Sequence, residues 1–522
     1  MEREYLAYEG MNMWLAMLGL MNGIIMGLVY SVEELWIGSF FVLIPFAGIL
    51  FSKKKISFFL IGYGLGYYIT GLSFLFSLTD VVPLPIYTAN VLFAGVILAI
   101  SIILTFLMWI ALYPFQYWRR GSSIDIFLLA GLYTLGEWLQ EIVPMVSFPW
   151  FRLAVPVVKM PIFIQGASLF GSLFVSFCVI LWNTWLAKLI MKRKLDRSMV
   201  LAGAFIGAVL LYGEVRLYQK EEGTKQVLIV QGNHEGSEKW AMESKDILKD
   251  YKKLAYQYAN PFVELIIMPE TALPYAVMDE KEGREELMSI SKQLSAELLV
   301  GAIQKEEIGE ETNFYNVVYH IKEDGINQTV YRKQILVPFG EFLPFAEFFN
   351  KMCPWLIDFM SGNYFKAGEE MAVFDTKAGK IGALICYESI FPEIAKEAVE
   401  KGAEALVIVS NDSWFQNTPA MREHYAHAIL RAVESDRYVI RAGNTGISAI
   451  IDGRGRVVAS IPENTSMAFQ AAMRPKRDGT LYIKAGRVFV WVLCGMYILL
   501  ILRRACSLIF SFFFYIIEKI KK

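Results

Sequence analysis

The sequence is poor in charge for a chain of its length. Asp, Glu, Lys and Arg make up 19% of its 522 residues, whereas 55% are hydrophobic and the mean hydropathy is +0.41. A soluble protein is normally less apolar than this, so we expect a membrane protein with more than one domain. The formal net charge of −1 provides no basic field that would attract nucleic acid, and we expect no nucleic-acid partner.

Cysteine and histidine are also scarce, which limits disulfide and metal sites. The 5 cysteines are scattered, with no CxxC pair and no Cys/His cluster, and so support neither a disulfide framework nor a zinc site. Among the 4 histidines, His424 and His427 have the i, i+3 spacing of a helix but no carboxylate partner motif. We favour a solvated or supporting role for them over metal ligation. His320 lies on a predicted strand and is expected to be structural. We therefore predict no metal and no cofactor.

Long apolar runs are abundant. Seven precede the middle of the chain and one follows it, near residues 12–31, 35–51, 57–77, 91–116, 124–143, 162–189, 199–217 and 487–502. A transmembrane helix needs about 20 apolar residues. Most of these runs are long enough to span a bilayer, and the second and the last are at the short end. The apolar stretch 505–518 is expected to lie at the interface or to continue the last helix.

Positive charge alternates between the loops. Lys53–Lys55, Arg119–Arg120 and the cluster at 188–194 follow the second, fourth and sixth runs, whereas the loops between them have few Lys and Arg. Because cytoplasmic loops are rich in Lys and Arg, we expect a cytoplasmic N-terminus and an outward exit after the seventh run. Arg503 and Arg504 then return the C-terminus to the cytoplasm. Long buried helices can imitate membrane spans, but they do not explain this alternation.

Residues 222–484 differ in composition from both flanks, because charge and turn residues return. Apolar runs of strand length alternate with helical stretches, which predicts α/β layers around a sheet. We predict strands at Val227–Val230, Leu265–Met268, Leu298–Ile303, Val317–Ile321, Gly382–Ile385, Ala405–Val409 and Tyr438–Arg441, and helices at Glu235–Asn260, Arg284–Glu297, Pro392–Lys401 and Met421–Ser435. The chain thus divides into a transmembrane helical domain of about seven spans (1–221), an extracytoplasmic domain (222–484), and a C-terminal transmembrane helix with a cytoplasmic tail (485–522).

Cys386 ends an apolar, strand-like segment and precedes a helical segment with Pro392 near its start. Such a turn presents a side chain at the edge of a sheet, where a nucleophile is useful. A free thiol has a pKa of about 8.5 and needs a base at neutral pH. No histidine is close to Cys386 in the sequence. Glu270, which follows the strand Leu265–Met268, is the better base, since partial burial raises a carboxyl pKa toward the useful range.

Lys333 precedes an apolar run and is expected at a strand end. A fixed cation there would stabilise the negative oxygen of a tetrahedral intermediate. Glu341, in the run Pro-Phe-Gly-Glu, and Glu388, two residues after Cys386, could orient Lys333 or set the pKa of the base. A Glu after a turn is often a solvated surface residue, and a buried Cys is often inert. Three such groups at strand ends nevertheless favour acyl transfer through a thioester.

These segments resemble the nitrilase, or carbon–nitrogen hydrolase, superfamily. Pro-Glu-Thr-Ala (269–272) contains Glu270, Tyr-Arg-Lys ends at Lys333, and Cys-Tyr-Glu begins at Cys386. The runs at 410–415, 431–434 and 444–446 also fit the superfamily. The resemblance implies an αββα sandwich, here inserted into a multi-span α-helical membrane domain. It also implies that Glu270, Lys333 and Cys386 are the catalytic residues.

The combination with apolar helices resembles the apolipoprotein N-acyltransferase family. Further matches are Gln-Gly-Asn (231–233), Val-Pro-Phe-Gly-Glu (337–341) and Phe-Pro-Trp (148–150). The resemblance implies that an acyl chain passes from a membrane phospholipid, through a Cys386 thioester, to the α-amino group of a diacylglyceryl-cysteine at the N-terminus of an apolipoprotein. It implies a monomer in the inner (cytoplasmic) membrane, with the catalytic domain on the outer face.

The same resemblance implies supporting residues. We assign supporting roles to Glu341, Tyr387 and Glu388, and substrate contacts to Trp150, Phe151, Trp240 and Trp414. Trp150 and Phe151 would line the access path for the acyl chain, or they belong to an ordinary aromatic belt. The chain departs from the family pattern at Glu423-His424, where Gln-His is common, and in lacking a glycine before Phe-Pro-Trp. These departures concern substrate contacts and not the catalytic set.

Two other functions are compatible with parts of the sequence. A membrane-bound amidase would use the same three catalytic residues with water as the final acceptor, and its product would be a free acid. A membrane receptor with a degenerate nitrilase-like domain is the other alternative. The intact Glu270, Lys333 and Cys386 argue against the receptor.

Overall fold

The computed structural model describes residues 2–520 except for 53–55, 81, 83, 119–123, 144–146, 220, 236–243, 277–279, 310, 348–350, 352–364 and 416. The predictions made for Lys53–Lys55, Arg119–Arg120 and Trp240 therefore lie outside the described residues.

Long helices occupy both ends of the chain, and shorter ones lie within the α/β segment. They are α1 (Glu2–Ser31), α2 (Leu43–Ser52), α3 (Ser57–Gly71), α4 (Ile86–Leu112), α5 (Asp125–Ile142), α6 (Ser172–Lys192), α7 (Arg197–Tyr218), α8 (Ser244–Tyr258), α9 (Lys281–Leu294), α10 (Pro392–Glu400), α11 (Ala420–Ser435) and α12 (Val488–Ile520). Short α-helices cover Pro161–Ile164, Ala167–Phe170 and Leu481–Ala485, and 3₁₀ helices cover Glu33–Phe40, Leu72–Asp80, Tyr113–Tyr117, Pro156–Lys159, Cys386–Ile390 and Asp412–Phe415.

Seven helical stretches among the described residues are long and apolar enough to cross a membrane: Met11–Ser31, Glu33–Ser52, Ser57–Thr79, Ile86–Tyr117, Ser172–Lys192, Arg197–Tyr218 and Val488–Phe513. The predicted run 124–143 forms α5 but is not one of them, because the 18 residues of α5 include the charged residues Asp125, Glu137 and Glu141. The run 162–189 becomes a long helix only at Ser172. The stretch 505–518 continues α12.

Glycines allow α1 and α3 to pack closely. A Cβ atom on Gly23 would lie 2.1 Å from the backbone oxygen of Tyr63, and one on Gly62 would lie 2.1 Å from the backbone oxygen of Ala16. Any side chain at these positions would force the helices apart. Small residues serve this purpose in membranes, where van der Waals packing drives helix association.

Twelve strands among the described residues form two six-stranded sheets. They are β1 (Lys225–Gln231), β2 (Leu265–Ala276), β3 (Glu297–Ile308), β4 (Glu311–Lys322), β5 (Gly325–Arg332), β6 (Val373–Thr376), β7 (Gly379–Ile385), β8 (Ala405–Ser410), β9 (Val439–Gly443), β10 (Ser448–Ile451), β11 (Val457–Ile461) and β12 (Met467–Met473). The strand orders are β12-β1-β2-β3-β4-β5 and β11-β10-β9-β8-β7-β6. The pairs β1/β2, β2/β3, β7/β8 and β8/β9 are parallel, and the other pairs are antiparallel.

The two sheets face each other between layers of helices. On β1, Val227 and Ile229 belong to the apolar core between the sheets, whereas Leu228 and Val230 pack in a separate core with α8. This alternation follows from the two-residue period of a strand. With α8 and α9 on one sheet and α10 and α11 on the other, the predicted αββα sandwich is confirmed.

A loop after α5 connects the membrane helices to the sandwich. The hydroxyl of Tyr387 donates to the backbone oxygen of Ser147 at 2.6 Å, and Nε1 of Trp150 donates to the buried carboxyl group of Glu423 on α11. Trp150 is 1% exposed and Phe151 is 0% exposed. Neither ring faces lipid, so an ordinary aromatic belt does not describe them. Both rings lie in the core that the helices share with the sandwich.

We expect Gly23→Val to destabilise the helix pair. Overpacking typically costs about 1–3 kcal/mol, so the thermal unfolding midpoint in detergent should fall measurably. Gly207→Val is the matched control, because Gly207 lies on the exposed side of α7 and a Cβ atom added to it would have no other atom within 4 Å. Equal midpoints for the two variants would contradict the close packing of α1 and α3.

We expect Glu423→Gln to change the pH dependence of stability. Burial raises the pKa of Glu423 from 4.5 to about 7. Between these values the unfolded chain loses this proton while the folded chain keeps it, so the stability contributed below pH 4.5 is lost as the pH approaches 7. The slope is at most about 1.4 kcal/mol per pH unit. Glutamine does not titrate, and its oxygen can still accept from Trp150.

The unfolding midpoint of Glu423→Gln, relative to that of the unmodified chain, should therefore rise between pH 5 and pH 7 and then stay level. The exposed carboxylate of Glu370 provides the control substitution, Glu370→Gln, which should show no such trend. A constant difference for Glu423→Gln across this range would contradict the buried, protonated state of Glu423.

Candidate active site

The edge of the sandwich where parallel strands end brings three predicted residues together. Glu270 lies on β2, Lys333 follows β5, and Cys386 follows β7. Nζ of Lys333 is 3.3 Å from Oε1 of Glu270. The thiol of Cys386 is close enough to both for their charges to act on its pKa in opposite directions. Ligand sites of parallel α/β sheets lie at this end of the strands.

Glu270 is fixed through both of its carboxylate oxygens. Oε1 accepts from Nδ2 of Asn316 at 2.7 Å, and Oε2 accepts from the backbone N–H of Asn411 at 2.7 Å. Its strand leaves the regular ladder with β3 after Met268. Gly301 on β3 makes room there, because a Cβ atom would lie 2.3 Å from the backbone oxygen of Pro269.

Lys333 is a buried ammonium between two carboxylates. Its Nζ lies 2.8 Å from Oε1 of Glu341 in addition to the contact with Glu270. Burial alone would lower the pKa of this amine, but Glu341 and Glu270 together hold it above its ordinary value. Lys333 is therefore a permanent positive charge at the base of the site.

Glu341 has a second function in its own loop. Its Oε2 accepts from the backbone N–H of Val337 at 2.8 Å, while Oε1 also accepts from Nδ2 of Asn316 at 3.1 Å. The Pro-Phe-Gly-Glu run thus closes on itself and delivers a carboxylate to Lys333. The sequence left two roles open for Glu341, and this geometry corresponds to orienting Lys333.

Cys386 is half-buried and begins the 3₁₀ turn after β7. Its φ is 51°, a left-handed value that is uncommon for a residue with a side chain. Burial raises the pKa of the thiol, the negative charge of Glu270 adds to this effect, and Lys333 opposes it. A thiol in this setting holds its proton until a base removes it.

Glu388 joins the two segments that carry Lys333 and Cys386. Its Oε1 accepts from the backbone N–H of Gln334 at 2.6 Å and from the hydroxyl of Tyr331 at 2.9 Å. Its Oε2 accepts from the backbone N–H of Ile385 at 2.7 Å. Burial raises the pKa of Glu388 to about 7, and these donors limit the rise. Glu388 thus contacts backbone and tyrosine, and no contact between it and Lys333 is seen in the described residues.

The aromatic residues predicted to support the site or to contact substrate differ in position and in exposure. Tyr387 is buried, and its ring lies over Phe148 with 6.3 Å between centroids and a 25° angle between planes. Trp150 stacks on His424 at 5.9 Å. Trp414 is exposed beside the site, and its backbone oxygen accepts from the hydroxyl of Ser77 at 3.2 Å.

Several polar residues of the site were missed by the sequence analysis. Asp412 is fully buried, with Nδ1 of His424 2.8 Å from its Oδ1 and Nη2 of Arg441 2.8 Å from its Oδ2. Although burial opposes it, Arg441 and His424 hold the pKa of Asp412 below its ordinary value. Asn316 and Asn411, which bind Glu270, were also missed. Asp412 and Asn411 stand directly after β8, and position after a parallel strand was a signal that could have identified them.

Of the two roles expected for His424 and His427, solvated or supporting, the structure excludes the solvated one. Both are buried, and His424 has the carboxylate partner that its own helix did not reveal. One ligand atom each of Cys386, Asp412 and His424 lie within 4.8 Å of one another. The Asp412 oxygens already bind His424 and Arg441, and the Arg441 guanidinium repels a cation there. This arrangement favours a hydrogen-bonded network over metal ligation.

Family models match both parts of the chain. A model for carbon–nitrogen hydrolases matches residues 226–477, and a model for the apolipoprotein N-acyltransferase N-terminal domain matches residues 22–185. Together they match more than half of the chain.

Individual relatives extend across both parts. An apolipoprotein N-acyltransferase from Geobacter metallireducens is 29% identical over 412 residues, covering 76% of this chain and 78% of the relative. One from Allorhizobium ampelinum is 31% identical and covers 66% of each chain. One from Shewanella oneidensis is 26% identical over 478 residues and covers 86% of this chain and 87% of its own. This chain therefore belongs to the apolipoprotein N-acyltransferase family and is an acyltransferase with a nitrilase-like fold.

Proposed function

We propose that this protein transfers an acyl chain from a membrane phospholipid to the α-amino group of an N-terminal diacylglyceryl-cysteine on an apolipoprotein. The names of the relatives support N-acylation of lipoproteins. The observation that carries the proposed chemistry is the buried ammonium of Lys333, paired with Glu270 and close to the thiol of Cys386. In the proposed reaction, no other amino acid, metal or cofactor takes part in a chemical step.

In the first half-reaction, Cys386 is the nucleophile. Glu270 takes the thiol proton, and the sulfur attacks the carbonyl carbon of a phospholipid ester. The negative charge that develops on the carbonyl oxygen is stabilised by the ammonium of Lys333. The ester C–O bond then breaks, Glu270 returns its proton to the leaving oxygen, and a lysophospholipid departs. The acyl chain remains on Cys386 as a thioester.

In the second half-reaction, the acceptor amine attacks the thioester carbonyl. Glu270 accepts a proton from the amine nitrogen, and Lys333 again faces the developing oxyanion. The C–S bond breaks, an amide forms, and the cysteine sulfur recovers a proton from Glu270. Two substrates that react in turn with one nucleophile give ping-pong kinetics.

The contact between the site and the membrane helices supports a lipid donor. Tyr387, next to the proposed nucleophile, binds the backbone of the loop after α5 through Ser147. The thiol is thus held beside the membrane domain, where phospholipids and a lipid-modified acceptor are both present. We propose that the sandwich lies on the outer face of the inner membrane, with both termini in the cytoplasm.

A membrane-bound amidase remains the second candidate function, because the carbon–nitrogen hydrolase model matches the sandwich. Water would then take the acyl group from Cys386. Product analysis separates the two functions: the acyltransferase yields an N-acylated lipopeptide, whereas the amidase yields a free acid.

We expect a phospholipid labelled in its acyl chain to transfer the label to the purified protein. The adduct should be released by neutral hydroxylamine, which cleaves thioesters, and it should be absent from Cys386→Ala. Cys178, buried in α6, provides the control substitution Cys178→Ala, which should label normally. A hydroxylamine-labile adduct on Cys386→Ala would refute the proposed thioester.

We expect Lys333→Met to reduce kcat by about 10²–10³-fold, because losing one oxyanion donor typically has this effect. Methionine preserves the length of the side chain but removes its charge. The control is Lys305→Met on β3, a partly exposed lysine paired with Glu307. Its kcat should remain within about twofold, as expected for a surface position. The assay is acyl transfer from phospholipid to a diacylglyceryl lipopeptide; similar kcat values for the two variants would remove Lys333 from the mechanism.

A further inference from the structure

Cys386 has a backbone conformation that other contacts must maintain. A sparsely populated conformation such as its φ of 51° costs roughly 1–3 kcal/mol and persists only where the surroundings fix it. The groups that fix this turn also set the direction of Sγ relative to Glu270 and Lys333.

Two side chains hold the carbonyl group of Cys386. The hydroxyl of Ser389 donates to this oxygen at 2.8 Å, and Nε2 of His424 lies 3.1 Å from it. A carbonyl oxygen can only accept, so Nε2 is the donor in that contact. Nε2 is also 2.8 Å from the hydroxyl of Ser389. His424 therefore binds the turn at two points.

The other side of the imidazole is fixed as well. Nδ1 of His424 faces Asp412, whose second oxygen accepts from Arg441, and all three side chains are buried. The ring of Trp150 stacks on the imidazole with a 28° angle between planes. The imidazole is thus held at both nitrogens and on one face.

The same carboxylate is close to the thiol. The hydroxyl of Ser410 donates to Oδ1 of Asp412 at 2.8 Å, and Ser410 is near enough to the thiol of Cys386 to act on its pKa. The Asp412–His424 pair therefore contacts the carbonyl oxygen of Cys386 through His424 and lies near its thiol through Ser410. A buried histidine that served only to fill the core would not need both connections.

We propose that His424 is a positioning residue for the nucleophile. Held by Asp412 and Trp150, its imidazole keeps the backbone of Cys386 in the left-handed turn and directs Sγ toward Glu270 and Lys333. His424 exchanges no proton with the substrate and acts only through Cys386. The role rests on the proposed function of Cys386 and adds the group that orients it.

His320 offers a matched control for this role. It is also fully buried and also paired with a carboxylate, since its Nε2 lies 3.0 Å from Oε2 of Glu297. Its second nitrogen lies 3.2 Å from Nδ2 of Asn327, on the neighbouring strand. Substitution of His320 removes a buried imidazole and its contact with a carboxylate without touching the turn at Cys386.

The test compares His424→Ala and His320→Ala in the purified full-length protein. The rate of acyl-enzyme formation from a labelled phospholipid should fall about 10–100-fold in His424→Ala, because misplacement by about 1 Å can cost 10²-fold. The KM for phospholipid should change less than twofold. His424→Gln, which keeps an N–H donor, should recover part of the rate. His320→Ala should retain the unmodified rate within about twofold.

Alkylation of Cys386 by iodoacetamide, followed by peptide mass spectrometry, gives a second measurement that needs no lipid. A thiol that turns away from Glu270 and Lys333 leaves two charges that act on its pKa in opposite directions, so the rate of alkylation at pH 8 should change in His424→Ala. His424→Leu, which fills the space without a donor, should behave in the same way and serves if the alanine variant does not fold.

Two results would overturn the role of His424. One is an acyl-enzyme rate in His424→Ala equal to that in His320→Ala; the other is an unchanged alkylation rate in both His424→Ala and His424→Leu. Absence of any acyl-enzyme in the unmodified protein would instead refute the proposed function. The alkylation comparison would still report whether His424 orients the thiol.

Discussion

The buried positive charge of Lys333 is the constraint on which the site depends. An ammonium removed from water is costly unless carboxylates surround it. Glu270 and Glu341 fulfil this need from a strand and from a loop. Each carboxylate must in turn be fixed, which explains why Asn316 contacts both. β2, β4 and the loop after β5 thus each contribute a residue to the neutralisation of one cation.

The loop after α5 makes the sandwich and the membrane helices parts of one site. Tyr387 donates a hydrogen bond to this loop at Ser147, and Glu423 accepts one from it at Trp150. The rings of Trp150 and Phe151 in this loop are buried, and a low local polarity strengthens electrostatic contacts. The segment around Cys386 therefore contacts both domains, although the sandwich alone supplies its proposed chemical partners.

The sequence was sufficient to predict the αββα sandwich, but it was insufficient to predict much of the polar network around Cys386. Buried parallel strands such as β2 and β7 contain continuous apolar runs, and the ends of these runs identified Glu270 and Cys386 as candidates. Asp412 follows a strand and His424 lies on a helix twelve residues later, so no single sequence period relates the two. Only the tertiary structure brings them together. The apolar run of α5 predicted a membrane span, yet its three carboxylates leave it outside the helices that are apolar enough to cross a membrane.

The contact between Tyr387 and Ser147 has a consequence for how this family diverges. The acceptor is a peptide oxygen, which every amino acid at position 147 possesses. Residue 147 can therefore be replaced without loss of the hydrogen bond from Tyr387, provided that the backbone of the loop keeps its path. Related sequences would then differ at position 147 while sharing the same geometry. Selection would act more strongly against insertions and deletions in the loop than against replacements.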